Sequence, residues 1–185
     1  MHKIIMISLS DFDMHLISRL KASLESNFDC AVEIRQKISN LGYAYNRKRK
    51  QYISPILLAS LNRVKRDNGD KILGVVNVDL YSPGYDFVYG EADVHCGVAT
   101  LSTFRLISEN PNGDADEDLF EERVIREATH EVGHLFGMDH CKNQRCLMRT
   151  CTCVSEVDEA GNLFCNECEK KMKTNLDIRS VASYQ

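Results

Sequence analysis

Ile4-Ile5-Met6-Ile7-Ser8-Leu9 is a nearly continuous apolar run, the pattern of a strand covered on both faces. Ser10 is placed to cap the helix that follows, in which Phe12, Leu16, Leu20 and Leu24 recur at helical spacing and form a buried stripe. Cys30, Val32 and Ile34 then alternate with Ala31, Glu33 and Arg35, as a half-buried strand does. Strand, helix and strand at this spacing predict a right-handed parallel crossover. Residues 36–52 read as a solvated loop, and Ser54-Pro55 opens a second helix with Leu57, Leu58, Leu61 and Val64 inward, ending near Asn68-Gly69. The run from Ile72 to Leu80 predicts a third, central strand that Ser82-Pro83-Gly84 breaks. Phe87 to Ala92 and Val98 to Ile107 read as two further strands, and Asn110-Pro111-Asn112-Gly113 as a loop.

A long helix follows, rich in acids at its start (Asp114, Asp116, Glu117, Asp118, Glu121, Glu122). Acids there complement the helix dipole, which accounts for the run without a calcium site. On a wheel at roughly 100° per residue, Phe120, Val124, Ile125, Ala128, Val132, Leu135 and Phe136 share one apolar face. Arg123, Arg126, Glu127, His130 and His134 lie opposite, which predicts a helix with one face in the core and its histidines in a wet cleft. The pattern as a whole is α/β (α+β), a mixed sheet of about 4–5 strands packed on helices.

The end of that helix carries the chemistry. His130-Glu131-Val132-Gly133-His134-Leu135-Phe136-Gly137-Met138-Asp139-His140 reads H-E-x-x-H-x-x-G-x-x-H. Side chains one turn apart share a helix face, so His130 and His134 can bind one ion together. Gly137 permits a left-handed turn that swings His140 under the same ion. Three imidazoles leave a tetrahedral zinc with an open position, the mark of a catalytic site. Glu131 is suited to act as general base on a water activated by the metal, and partial burial would raise its pKa toward a useful value.

With 185 residues the chain suits a single domain (1–185), with residues 1–137 holding the sheet and the long helix and 138–185 a smaller C-terminal part. A net charge of -4 excludes general attraction to nucleic acid, and the basic run Arg47-Lys48-Arg49-Lys50 has no second basic cluster or interleaved aromatics to support it. No apolar run approaches the ~20 residues of a membrane span. The N-terminal apolar stretch is too short for a signal peptide, so a cytoplasmic protein with no membrane partner is expected. Cys30 and Cys96 stand alone, while six of the eight cysteines crowd into residues 141–168. Without an export signal such a cluster reads as metal-binding. Cys141-x4-Cys146 and Cys165-x2-Cys168 are two short-spaced pairs, which suits a closed zinc site with four thiolate ligands. Cys151 and Cys153 could replace one pair, although their closer spacing makes a poorer chelate.

Together the H-E-x-x-H-x-x-G-x-x-H-C-x4-C-x-M stretch and the closing C-x-x-C resemble the archaemetzincins, a family of metzincin-type zinc metallopeptidases. The segment from Val78 through Ala92 is similar as well, so the resemblance covers most of the chain. The interval from Met148 to Cys165 is a residue shorter than the family's pattern. The resemblance implies a metzincin-like fold with a twisted mixed sheet and two zinc ions per chain. It implies catalytic zinc on His130, His134 and His140 with Glu131 as base, structural zinc on Cys141, Cys146, Cys165 and Cys168, and Met148 in the turn beneath the catalytic ion. It also implies an extended peptide or protein substrate lying along an edge strand, for which Val98 to Leu106 is the candidate. A peptidase is therefore expected; the sequence leaves its oligomeric state open, with a monomer favoured. The alternative is a zinc-binding protein whose role is not general proteolysis.

Overall fold

The strands that open the chain form because their apolar residues can be covered from both sides, and the alternation of their side chains sets up two cores. In the computed structural model, which describes residues 3–36, 40–67, 69–107 and 116–182, the main sheet has five strands. These are β1 (Lys3–Ser8), β2 (Ala31–Gln36), β5 (Lys71–Val76), β7 (Gly90–Asp93) and β8 (Val98–Ser102). Their order is β2-β1-β5-β8-β7, with β7 antiparallel to β8 and every other pair parallel. Ile4, Met6, Leu73, Val75, Ala99 and Leu101 face one side and Ile5, Ile7, Ile72, Val76 and Val98 the other, as a period of two requires. The first core is covered by α1 (Met14–Phe28) and α3 (Glu117–Leu135), the second by α2 (Ser54–Arg63). The mixed α/β architecture expected from the pattern is the one observed.

Several boundaries differ from the expected ones. Asp13, not Ser10, caps α1: its side chain accepts from the His15 N–H at 2.6 Å. Ser10 instead accepts from the Asn77 N–H at 3.0 Å, tying the end of β1 to the end of β5. The stretch expected to be a solvated loop is largely structured: β3 (Tyr45–Asn46) and β4 (Gln51–Ile53) form a hairpin whose turn carries Arg47 to Lys50. Arg49 is spent on structure, lying over the Tyr81 ring and donating to the carbonyl oxygen of Asp86. Ser54 makes no cap; its hydroxyl bonds to Thr100 Oγ1 at 3.0 Å in the core. The helix it begins stops at Arg63, short of Asn68-Gly69. The expected strand from Ile72 to Leu80 is divided, because β6 (Leu80–Tyr81) leaves the main sheet and joins the hairpin in a small sheet ordered β3-β4-β6. The two strands read over 87–92 and 98–107 are trimmed to β7 and β8. The Asn110–Gly113 loop and Asp114 lie outside the described residues.

The long helix α3 is the largest surprise. Asp116 caps it through the Leu119 N–H at 3.0 Å, as the acidic start suggested. Its polar face, however, is not wet. Arg123, Arg126, Glu127, His130 and Glu131 are all buried. Two segments cover that face: α4 (Val154–Glu159) and the loop after it meet Arg123 and Arg126, and β7 lies against Glu131. Arg123 makes a bidentate pair with Asp158, both bonds at 2.6 Å, and donates to the Leu106 and Ile107 carbonyls. Arg126 donates twice to Asn162 Oδ1. Finally α5 (Asn166–Ala182) packs at the far end of α3, where Asn175 Nδ2 donates to the Phe136 carbonyl at 2.9 Å. Among the described residues no helix is long and apolar enough to cross a membrane.

Arg123 is buried although Asp158 is partly exposed, and its loss also leaves the Leu106 and Ile107 carbonyls without this donor, so Arg123→Ala is expected to lower stability by about 1–3 kcal/mol in urea unfolding. Arg123→Lys should recover little of that, since an ammonium cannot reproduce the two-pronged contact.

Candidate active site

Helix α3 ends in a way that its sequence dictates. Gly137 adopts φ 83, and the Met138 N–H bonds back to the Gly133 carbonyl at 3.1 Å while the Gly137 N–H reaches His134 O at 2.9 Å. This paired closure is a Schellman motif, which only glycine enters without strain. It reverses the chain so that His140 returns to the helix face bearing His130 and His134. The three rings gather with centroids 4.7, 5.3 and 4.8 Å apart.

Each of the first two rings is oriented by a carbonyl. His130 Nδ1 lies 3.0 Å from Leu147 O, and His134 Nδ1 lies 2.8 Å from Met138 O. A carbonyl can only accept, so both Nδ1 atoms carry the hydrogen and both Nε2 atoms present lone pairs. Those two nitrogens stand 3.1 Å apart. The edge of a tetrahedral zinc site with ordinary Zn–N bonds is roughly 3.3 Å, so the donors fit that ion. Burial is the main force pushing His130 down to about 4 and His134 below its usual range, which keeps them in the neutral, ligating form. Met148 lies buried beneath, against Gly133: a Cβ on that glycine would sit 2.6 Å from Met148 Sδ.

Glu131 is 6% exposed, and its carboxyl presses against β7. A Cβ on Gly90 would fall 2.5 Å from Glu131 Cγ and 2.6 Å from Oε1, so glycine there admits the carboxylate. Burial first, then Glu127 and Glu91, raise its pKa well above the ordinary carboxylate value. Partial burial was expected of Glu131; its deeper burial comes from the strand laid across it.

These groups open on a cleft of about 600 Å³ lined by β7, the segment before it, α3 and residues 150–152. Here the candidate for substrate pairing needs correction. Val98 to Leu106 includes β8, which has β5 on one side and β7 on the other and so has no edge to offer. The edge strand is β7, whose Gly90, Glu91 and Ala92 line the cleft.

The second cluster lies against the first. The sulfur atoms of Cys141, Cys146, Cys165 and Cys168 all lie within 4.8 Å of one another. Cys141 Sγ and Cys165 Sγ are 3.8 Å apart, matching the edge, roughly 3.8 Å, of a tetrahedral zinc with sulfur ligands. The shorter interval before Cys165 therefore does not displace it. The Cys168 N–H is the main cause holding the Cys165 thiol down to about 7, which favours thiolate. Cys151 and Cys153 stay outside this group: Cys151 lines the cleft and the exposed Cys153 precedes α4. Sequence reasoning missed Gly90, Gly133 and the carbonyls of Leu147 and Met138. The glycines were visible but carried no signal without their partners, and carbonyls leave none.

Comparison with known proteins agrees with this picture. Residues 11–174 match the profile of Peptidase family M54. An archaemetzincin of Pyrococcus abyssi is 31% identical over 182 residues, covering 95% of this chain and 97% of that protein. The crystal structure of an archaemetzincin from Methanopyrus kandleri superposes with a TM-score of 0.82 at 31% identity, covering 95% of both chains. A zinc-dependent peptidase from Methanocorpusculum labreanum gives the same TM-score at 28% identity, covering 91% of this chain and 99% of that one.

The two clusters share a backbone. His140 precedes Cys141, Cys146 precedes the Leu147 carbonyl that orients His130, and the Cys141 N–H bonds to Met148 O at 2.8 Å. Replacing Cys165 and Cys168 together by serine is therefore expected to weaken zinc binding at the histidines by about tenfold or more. Chelator competition with metal analysis reads this; unchanged affinity would count against the coupling.

Proposed function

The chain belongs to peptidase family M54, the archaemetzincins, and is a zinc metallopeptidase acting on peptides or proteins; from this premise we propose that Glu131 is the general base of its hydrolytic reaction. The single observation that carries the reading is a carboxylate buried beside two deprotonated imidazole nitrogens, at the wall of a cleft bounded by a free sheet edge. His130, His134 and His140 would hold the catalytic ion. Cys141, Cys146, Cys165 and Cys168 would hold a second, structural zinc, which makes two ions per chain.

When bound at the histidines, zinc supplies Lewis acidity, polarising the scissile carbonyl and making an adjacent water acidic near neutral pH. Glu131 takes the proton from the attacking water. Burial raises its pKa above the ordinary carboxylate value, which makes it a stronger base than an exposed glutamate. The same carboxyl then passes the proton to the departing amine. The outer edge of β7 would pair with an extended substrate as an added strand, setting the scissile bond over Glu131. Gly90 keeps the strand close enough for that. Met148 fills the space below Gly133 and supports the floor on which the imidazoles rest.

We read residues 1–185 as one catalytic domain, 1–137 supplying the sheet, the helix and Glu131, and 138–185 the third histidine and the cysteine site. A cytoplasmic monomer accords with a cluster of unbridged thiols and with a charge of -4, which also disfavours nucleic acid.

The test is a diverse peptide library incubated with the zinc-loaded protein, with Glu131→Gln as control. The Gln variant should retain its zinc in metal analysis yet lose about 10²–10⁴-fold in rate. A fully active Gln variant would remove Glu131 from the role. Gly90→Ala should also keep both ions but lower kcat by about tenfold or more, because its methyl group occupies the carboxylate's place.

A further inference from the structure

Glu127 is a buried carboxylate of α3 that the reaction above does not use. It stands one helical turn before Glu131, is 6% exposed, and lines the same cleft with Phe87, Tyr89, Thr150, Cys151 and Thr152. Burying an unpaired carboxylate is strongly unfavourable, so a partner is expected close by. The nearby arginines are each committed elsewhere. Against the rise that burial gives the Glu127 pKa, Arg126, next in sequence, lowers it through its charge but makes no ion pair with the carboxylate: Nε and Nη2 donate to Asn162 Oδ1 at 3.0 and 2.7 Å, and Nη1 is buried without a partner among the described residues. Arg123 is spent on Asp158, and Arg105, stacked on the Phe87 ring, is spent on Asp79. Among the described residues no cation makes an ion pair with Glu127.

The walls around it suit the missing partner. Phe87 and Tyr89 meet edge to face with centroids 5.2 Å apart, and aromatic surface accepts both methylene stems and cationic heads. We propose that Glu127 is a specificity-determining residue of this cleft, receiving a cationic group of the substrate (an ammonium or a guanidinium) next to the scissile bond. The cation comes from a lysine or arginine side chain or from the substrate's own amino terminus; the chemistry of recognition is the same. A neutral residue at position 127 would leave a plain aromatic pocket for apolar side chains. The inference rests on the peptidase reading and deepens it.

The experiment begins with cleavage-site profiling of the zinc-loaded enzyme on the peptide library. Peptides matched at the enriched position are then compared, carrying lysine or norleucine, each with a free or an acetylated amino terminus. The expected result is a kcat/KM about tenfold or more higher for the cationic member of a pair, falling to near parity in Glu127→Gln and partly kept in Glu127→Asp. Dependence on lysine in acetylated peptides assigns the site to a side chain; dependence on the free terminus assigns it to the α-ammonium. Fluorescence anisotropy with the Glu131→Gln protein should show the same preference in affinity without turnover. Equal treatment of lysine and norleucine with either terminus by the wild-type enzyme would overturn the assignment. So would a Glu127→Gln variant that lowers every rate alike, or that shifts only the pH profile through Glu131. Cleavage without a cationic preference defeats this inference alone, whereas no cleavage of any peptide defeats the peptidase reading together with it.

Discussion

Two imidazole nitrogens held 3.1 Å apart, each with its lone pair facing the other, repel unless a cation stands between them. The architecture around the end of α3 is organised to keep them there. Each ring is fixed by a hydrogen bond from its outer nitrogen to a backbone carbonyl, and both carbonyls lie in the chain that follows the helix. One belongs to the Schellman closure and the other to the loop between Cys146 and Met148. The geometry that suits a zinc ion is thus produced by backbone that is itself shaped by one glycine and four thiols. Metal affinity, helix termination and the order of the C-terminal part are one problem in this fold.

Burial of α3 on almost every side is the second consequence. Arg123, Arg126, Glu127, His130 and Glu131 are side chains that a helix would ordinarily keep in water. Here the C-terminal part covers the arginines and supplies their partners, Asp158 for Arg123 and Asn162 for Arg126, while β7 lies against Glu131. Glu127 and Glu131 receive no such partner, and burial drives both toward neutrality, Glu127 to about 7 and Glu131 well above its ordinary value. The unpaired acids both face the cleft while the paired cations face the scaffold. Along a single helix the buried charges thus divide between scaffold and cleft.

The sheet leaves one of its edges beside the cleft. Because β7 runs antiparallel at the end of an otherwise parallel sheet, its outer edge borders the cleft above Glu131. An unpaired strand edge is ordinarily a liability for aggregation, but a short strand beside a deep cleft offers a template of limited length. Gly90 links the two levels, since the absence of a side chain there lets strand and helix share the space that the carboxylate fills.

The two side-chain clusters able to hold a metal were legible in the sequence because their chemistry is local. His130 and His134 share a helix face by spacing alone, Gly137 announces the turn, and paired cysteines announce a thiolate cluster. The strand and helix cores were legible for the same reason: periodicity of two or of 3.6 residues is a property of the chain itself. What only the tertiary structure decided was every feature that depends on a distant partner. The wet face foreseen for α3 became buried because residues 154–162 cover its arginines and β7 lies across Glu131. The run from Ile72 to Leu80 split because its end pairs with a hairpin near residue 52. The edge strand proved to be β7 because β8 inserts beside β5. Spacing along a chain determines which side chains can cooperate, but which surfaces remain open is settled by the segments that arrive from elsewhere.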